Sequence, residues 1–126
     1  MNPRIWGSKE WFVYYTRAYI YPENPSQEDK ELYYNYFKYA TSTLPCYSCR
    51  KNFKRHADEI PLSVFESRTV LLNWVNEMEN KVREMQGRTP ITLNDRIRTL
   101  NKKEEKNNIR LIIFFVVLLI IYKFHH

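Results

Sequence analysis

Residues 63–87, SVFESRTVLLNWVNEMENKVREMQG, decide the fold. Ser63 and Glu66 match a capping box, in which two side chains satisfy free N–H groups where a helix begins. Apolar side chains then recur at the spacing of one helical face: Val70, Leu71, Trp74, Met78, Val82 and Met85. Gly87 suits the left-handed residue just past a helix end. The stretch therefore predicts a long amphipathic helix whose apolar face needs partners.

The upstream sequence supplies those partners as three shorter helices. Ser8 is expected to cap a helix that runs to about Ala18. Ser26 and Asp29 resemble a second capping box, for a helix over 27–43. Pro45–Cys46 should begin a third helix, which stops near Glu59, and Thr92 should open a short fifth one. Together these helices predict an all-α four-helix bundle plus a short fifth helix.

The C-terminal part is different in kind. Residues 111–122, LIIFFVVLLIIY, are apolar without interruption, and residues 109–124 approach the roughly 17–25 residues of a transmembrane helix. A buried core helix is the alternative, but this run has no polar face. The basic residues lie mainly before it, which predicts a cytosolic N-terminal side: Lys102, Lys103, Lys106 and Arg110, against Lys123. We expect a domain over 1–98, a charged linker over 99–108 and a single-pass tail anchor over 109–124.

The net charge of +6 has a simpler explanation than nucleic-acid binding. No basic stripe with interleaved aromatic residues is visible, so we expect no nucleic-acid partner. A basic surface beside a membrane anchor instead suits anionic lipid headgroups.

Cys46 and Cys49 are the only two cysteines in the chain, and they form a C-x-x-C. A tetrahedral zinc site needs four ligands, or three plus water; besides the two cysteines the part before the anchor offers only His56, with no second C-x-x-C and no H-x-x-x-H, so we expect no metal. Two sulfurs at a helix start are instead favoured as thiolates, and their spacing suits thiol–disulfide exchange. We therefore favour a redox couple over an incidental pair of buried thiols. The residues alone leave open whether the electrons go to a cofactor or to another protein.

A wider pattern surrounds this pair, in matching order and intervals: Trp6-Gly7, Trp11, Tyr21-Pro22, Pro25-Ser26, Pro45-Cys46-x-x-Cys49, Phe53 and Trp74. It resembles the Erv/ALR sulfhydryl oxidases. The family segment W-x4-H-N-x-V-N aligns without gaps on residues 74–83 and retains Trp74, Asn80 and Val82. Gly87-Arg88 stands where the family has Gly-Lys. The resemblance covers about Trp6 to Pro90.

The resemblance implies an enzyme that oxidises protein thiols to disulfides and passes the electrons through FAD to O₂, with release of H₂O₂. Cys49 would lie beside the flavin, and Cys46 would exchange with the substrate. The same resemblance implies a homodimer and the following FAD-binding residues: Trp6, Gly7, Trp11, Tyr15, Phe53, Trp74, Asn80, Val82, Arg83 and Arg88.

Three residues depart from the family pattern and bear on how adenine and ribose would bind. Tyr15 and Glu79 each replace a histidine, and Arg83 replaces an asparagine. The shuttle dithiol of cellular relatives is also missing, as in compact virus-encoded members. We therefore expect a separate dithiol protein or thioredoxin-like shuttle as electron donor, and a location at a host cytoplasmic or virion membrane. The alternatives are a flavin-free, membrane-anchored thiol exchanger and a non-catalytic membrane adaptor.

Overall fold

The computed structural model describes residues 1–126, apart from the side chain of Ala57. Every regular element among them is helical, which confirms the predicted all-α class. The elements are α1 (Pro3–Ile20), α2 (Gln27–Ala40), α3 (Tyr47–Asp58), α4 (Arg68–Met85) and α5 (Leu93–His125), with short 3-10 turns at Thr41–Thr43 and Leu62–Phe65. The chain forms two compact units, Met1–Ile91 and Thr92–His126.

Helix α1 begins earlier than predicted. The Asn2 side chain, not that of Ser8, is the cap, and it accepts a hydrogen bond from the backbone N–H of Arg4 at 3.0 Å. Pro3 follows at the first helical position, where its missing N–H costs nothing. Ser8 therefore lies inside the helix, and the predicted start at Ser8 is wrong.

Helix α4 begins later than predicted. The cap is Ser67, whose Oγ accepts from the backbone N–H of Val70 at 3.2 Å, and the proposed capping box at Ser63 and Glu66 does not form. Ser67 has an extended backbone, so it separates α4 from the preceding 3-10 turn. The capping box of α2 does form, with both Ser26–Asp29 hydrogen bonds present at 3.1 and 2.9 Å. The end of α2 at Ala40 gives way to the 3-10 turn Thr41–Thr43, in place of the predicted helix end at Thr43.

The core of the first unit is strongly aromatic. Helix α1 packs on α4, while α2 contacts α3 and both 3-10 turns. The turn Leu62–Phe65 buries Phe65, whose ring lies 6.5 Å from that of Tyr21, 5.9 Å from Tyr34 and 6.3 Å from Phe37. Rings at such separations stabilise each other beyond the area they bury.

Tyr21 joins the end of α1 to the start of α4. Its hydroxyl donates to the carbonyl of Phe65 at 2.7 Å, and its own carbonyl accepts from Nε of Arg68 at 2.6 Å. Burial raises the pKa of the Tyr21 hydroxyl to about 12. The hydroxyl therefore stays a neutral donor, and the turn after α1 is fixed.

The end of α4 follows the sequence prediction. Gly87 has a φ of +67°, the left-handed value that glycine adopts most easily. The N–H of Arg88 reaches the carbonyl of Arg83 at 2.8 Å, and the N–H of Gly87 reaches that of Glu84 at 3.0 Å. These two bonds form a Schellman motif.

The second unit is one helix of 33 residues, capped by Thr92 through the N–H of Asp95 at 3.2 Å. The predicted short fifth helix, the charged stretch 99–108 and the apolar stretch 109–124 are thus joined without a break. The compact first unit is Met1–Ile91, and the predicted domain bounds 1–98, 99–108 and 109–124 stay a prediction. Helix α5 is long and apolar enough to cross a membrane, and its apolar window is not buried.

Candidate active site

The C-x-x-C lies where α3 begins, as its sequence predicts. Cys46 immediately precedes the helix, and its Sγ accepts from the backbone N–H of Cys49 at 3.3 Å, so this side chain acts as the helix cap. The loop before it is held by Arg50, which donates to the carbonyl of the buried Leu44. Both sulfurs are free thiols and both are partly exposed. The couple is therefore both fixed in place and accessible.

The two thiols differ strongly in acidity. The pKa of Cys46 is lowered to about 7, first because the Cys49 side chain hydrogen-bonds it and then because Ser48 Oγ lies 3.2 Å from its Sγ. The pKa of Cys49 is raised to about 11, first by burial and then by its hydrogen bond to Cys46. Hydrogen bonds are the leading cause of the lowered pKa of Cys46. With a pKa of about 7, Cys46 is roughly half thiolate at neutral pH, whereas Cys49, with a pKa of about 11, stays a thiol.

An aromatic contact lies one helical turn along α3 from the more buried thiol. Phe53 follows Cys49 by one helical turn on α3, so the two side chains share a face. The ring of Trp11 on α1 lies 5.9 Å from that of Phe53. The structure thus brings Trp11 of α1 close to Phe53 of α3, and Phe53 shares a face of α3 with Cys49.

Two core residues connect this cluster to Trp74. The Tyr14 ring lies 5.7 Å from Trp11 and 6.0 Å from Phe37, and Phe37 lies 5.7 Å from Trp74 on α4. Neither Tyr14 nor Phe37 was among the site residues predicted from the sequence. Trp11 and Trp74 are half-buried, as a wall beside a planar ligand would be.

The start of α1 has room for a ligand atom. The Nε1 of Trp6 is buried without a hydrogen-bond partner among the described residues. A Cβ built on the adjacent Gly7 would meet no atom within 4 Å. Buried N–H groups in proteins are nearly always paired, so an unpaired one beside open space suits a bound acceptor.

The last turn of α4 borders a depression of about 550 Å³. Two cations and two carboxylates line it, with an amide and a proline: Lys81, Arg88, Glu77, Glu84, Asn80 and Pro90. Of the predicted cofactor residues, Asn80 and Arg88 meet here. Val82 and Arg83 lie half-buried on the same part of α4.

Asn80 and Arg83 also have structural roles. Asn80 clasps Ile91, donating to its carbonyl at 2.9 Å and accepting from its N–H at 2.8 Å. The Nε of Arg83 donates to the carbonyl of Thr89 at 2.6 Å. These bonds hold the segment after Gly87 against α4, so a cofactor role for Asn80 would use its remaining donor and acceptor capacity.

Known proteins provide a direct comparison. The Erv1/Alr family model matches residues 8–106. A protein of Acanthamoeba polyphaga mimivirus, described as "Probable FAD-linked sulfhydryl oxidase", is 35% identical over 104 residues, which cover 81% of this chain and 73% of that protein.

The chain belongs to the Erv1/Alr family.

Solved structures of yeast Erv1 have the same fold. The crystal structure of the FAD-binding domain of Saccharomyces cerevisiae Erv1 has a TM-score of 0.69 and 26% identity, covering 75% of this chain and 89% of that one. The yeast Erv1 core has the same TM-score at 24% identity, covering 75% and 79%.

Two departures from the Erv1/Alr pattern are bonded to each other. The hydroxyl of Tyr15 donates to Oε1 of Glu79 at 3.1 Å, and both side chains are almost fully buried. The Glu79 side chain therefore lies within the contact between α1 and α4. Two positions that are histidine in the family have become a donor–acceptor pair.

Asn76 extends this pair and was not singled out in the sequence. Its Nδ2 donates to the Tyr15 hydroxyl at 3.1 Å and to the carbonyl of Ile91 at 3.0 Å. The available signal was its position one helical turn before Asn80, on the same face. Tyr15 and Glu79 are thus linked through Asn76 to the segment that Asn80 clasps.

Reduced protein should show the two thiol acidities directly. The rate at which iodoacetamide alkylates Cys46 should rise through about pH 7 and then level, because only the thiolate reacts. Alkylation of Cys49 should need pH values near 11. Fragmentation mass spectrometry of the peptide that carries both cysteines resolves the two sites. Equal pH dependence, or earlier alkylation of Cys49, would contradict the assignment.

Removing the Tyr15 hydroxyl should destabilise the first unit. Tyr15→Phe takes a donor from the buried Glu79 carboxylate and an acceptor from Asn76, so we expect a loss of about 1–3 kcal/mol in the free energy of unfolding. Denaturation followed by helical circular dichroism measures it. The matched control is Tyr39→Phe, because Tyr39 is 59% exposed. Equal stability of the two variants would rule out the proposed importance of this bond.

Proposed function

We propose that this chain is an FAD-linked sulfhydryl oxidase whose redox couple is Cys46 and Cys49. The observation that carries the proposal is the pair of unequal thiols set one helical turn from the Trp11–Phe53 contact. The chain belongs to the Erv1/Alr family, and one solved structure with the same fold is the FAD-binding domain of Erv1. FAD is therefore the cofactor that we propose to lie against the Trp11–Phe53 contact.

The residues present fit FAD. Half-buried aromatic faces suit the flat ring system, while the free Nε1–H of Trp6 and the open side of Gly7 offer a donor and space. Arg88 and Lys81 offer positive charge for the pyrophosphate, next to Asn80. Held there, FAD would supply a two-electron acceptor for the dithiol that O₂ could reoxidise, with H₂O₂ as the product.

The two cysteines divide the thiol chemistry. A substrate thiolate attacks Sγ of Cys46 in the Cys46–Cys49 disulfide, and Cys49 leaves with the electron pair. The second substrate thiolate then attacks the substrate sulfur of the mixed disulfide and displaces Cys46. The substrate gains a disulfide, and its two electrons now reside on the Cys46/Cys49 dithiol. Cys46 suits the outer role because it is the more acidic sulfur, and Cys49 suits the place beside the aromatic wall because it is the more buried.

The electron donor in this proposal is a separate protein. Both cysteines of the chain belong to the couple, which leaves none for an internal shuttle. A dithiol substrate protein or a thioredoxin-like shuttle would dock at the exposed Cys46. The mimivirus relative supports a viral disulfide pathway, and the family supports a homodimer.

The location in this proposal is a membrane. Helix α5 carries an exposed apolar stretch, preceded by more basic residues than follow it. Its tail would anchor the protein with Met1–Ile91 on the cytosolic face.

Purified full-length protein in detergent should be yellow and should consume O₂ when given a reduced dithiol protein, with H₂O₂ as product. Cys46→Ser and Cys49→Ser should each lower this rate by at least about a hundredfold, because the electron path needs both sulfurs. Ser63→Ala, exposed and outside α3, is the control. Colourless protein that exchanges thiols without consuming O₂ would favour the flavin-free exchanger instead. Unchanged function in both cysteine variants would favour the adaptor.

Deleting residues 109–126 should release the protein from membranes. The full chain should stay with the membrane after alkaline carbonate extraction, because its apolar stretch is held by the hydrocarbon core. The shortened chain should appear in the supernatant. A shortened chain that still resists extraction would show that the anchor lies elsewhere.

A further inference from the structure

The residues between the two cysteines are not equivalent. Tyr47 is 75% exposed, and its ring lies against the guanidinium of Arg50, 5.9 Å from it. Ser48 places its Oγ 3.2 Å from Sγ of Cys46, a distance at which either atom can be the donor. When Cys46 is a thiolate, only the hydroxyl can donate.

The backbone of α3 fixes this contact. The Cys46 side chain bends over the first turn, since it accepts from the N–H of Cys49 at 3.3 Å, and Ser48 lies in that same turn. A serine hydroxyl sits on a single methylene, so it reaches Sγ without ordering a long side chain. In the reduced couple the sulfur is therefore met by three donors from its own chain, the Cys49 thiol, the Ser48 hydroxyl and the backbone N–H of Cys49.

We propose that Ser48 is a further catalytic residue of the oxidase, whose hydroxyl donates to Sγ of Cys46 as that sulfur leaves the mixed disulfide. This inference rests on the proposed function. In the step concerned, the second substrate thiolate forms the new S–S bond, the bond between the substrate sulfur and Cys46 breaks, and Cys46 keeps the electron pair. Negative charge thus develops on the atom that Ser48 contacts.

The chemistry of exchange explains why this contact matters. A disulfide sulfur leaves faster when its thiol is more acidic, so a donor to the departing thiolate speeds release of the oxidised substrate. Hydrogen bonds to ionised acceptors are stronger than those between neutral groups. Ser48 therefore acts on release of the oxidised substrate from Cys46. Cys49 is the cysteine one helical turn from the Trp11–Phe53 contact.

The full-length chain with Cys49→Ser allows a clean test, because Cys46 is then its sole cysteine. Three further substitutions are made in this Cys49→Ser background. Ser48→Ala removes the hydroxyl, Ser48→Thr keeps it, and Tyr47→Phe is the neighbouring control. Ser48→Ala should move the pH midpoint of Cys46 alkylation by iodoacetamide upward. Below that midpoint the rate should fall roughly three- to tenfold. Ser48→Thr should keep the pH midpoint of the Cys49→Ser parent, and Tyr47→Phe should not change that midpoint.

A second readout follows the leaving-group step itself. Cys46 is loaded as a mixed disulfide with glutathione, and free glutathione at fixed pH then attacks the bound glutathione sulfur. The attacking thiol is the same for every variant, so release of Cys46 should be roughly two- to fivefold slower with Ser48→Ala only. Unchanged midpoint and release rate would overturn the proposal, and so would an equal effect of Tyr47→Phe.

Neither readout requires FAD or O₂. A failure of the role proposed for Ser48 can therefore be distinguished from a failure of the proposed oxidase function. Normal Cys46 acidity in Ser48→Ala, in a chain that otherwise consumes O₂, refutes the role of Ser48 alone. The predicted shifts in a protein that never oxidises thiols refute the oxidase and with it the catalytic role of Ser48, while its hydrogen bond would stand.

Discussion

The hydrogen bond from the Tyr15 hydroxyl to the buried Glu79 carboxylate is the constraint on which the first unit depends. A carboxylate removed from water is costly unless a donor meets it, so α1 and α4 must pack with this pair in register. That register sets where Trp11 lies, four residues before Tyr15, and where Trp74 lies, five residues before Glu79. Trp11 and Trp74 thus stand on the two helices that this buried polar contact joins.

The same contact extends toward the end of α4. Asn76 bonds both the Tyr15 hydroxyl and the carbonyl of Ile91, and Asn80 clasps Ile91 from the next turn. The segment after Gly87, which brings Arg88 to the depression, is therefore fastened to the helix pair that carries the aromatic residues. Tyr15 and Glu79 thus form a donor–acceptor pair between α1 and α4.

The sequence predicted the helices because apolar spacing and turn residues act locally. Gly87 and the Ser26–Asp29 capping box were identified correctly, since each depends on neighbours within one turn. The starts of α1 and α4 were missed because several residues compete as caps, and Asn2 and Ser67 prevailed over Ser8 and Ser63. The Tyr15–Glu79 pair was out of reach, because its partners are 64 positions apart and meet only after folding. The cysteine couple was evident from spacing, but the contact of Ser48 with Cys46 needed coordinates.

In the proposed mechanism, electrons pass from a dithiol through Cys49 to a bound flavin. It is tested most directly by adding a reduced dithiol protein to the purified, FAD-loaded full chain without oxygen and following the visible flavin absorbance. The account predicts that the band bleaches in the natural sequence, persists in Cys49→Ser, and returns in the natural sequence when air is admitted. Equal bleaching in Cys49→Ser, or a band that the dithiol never bleaches in the natural sequence, would contradict it.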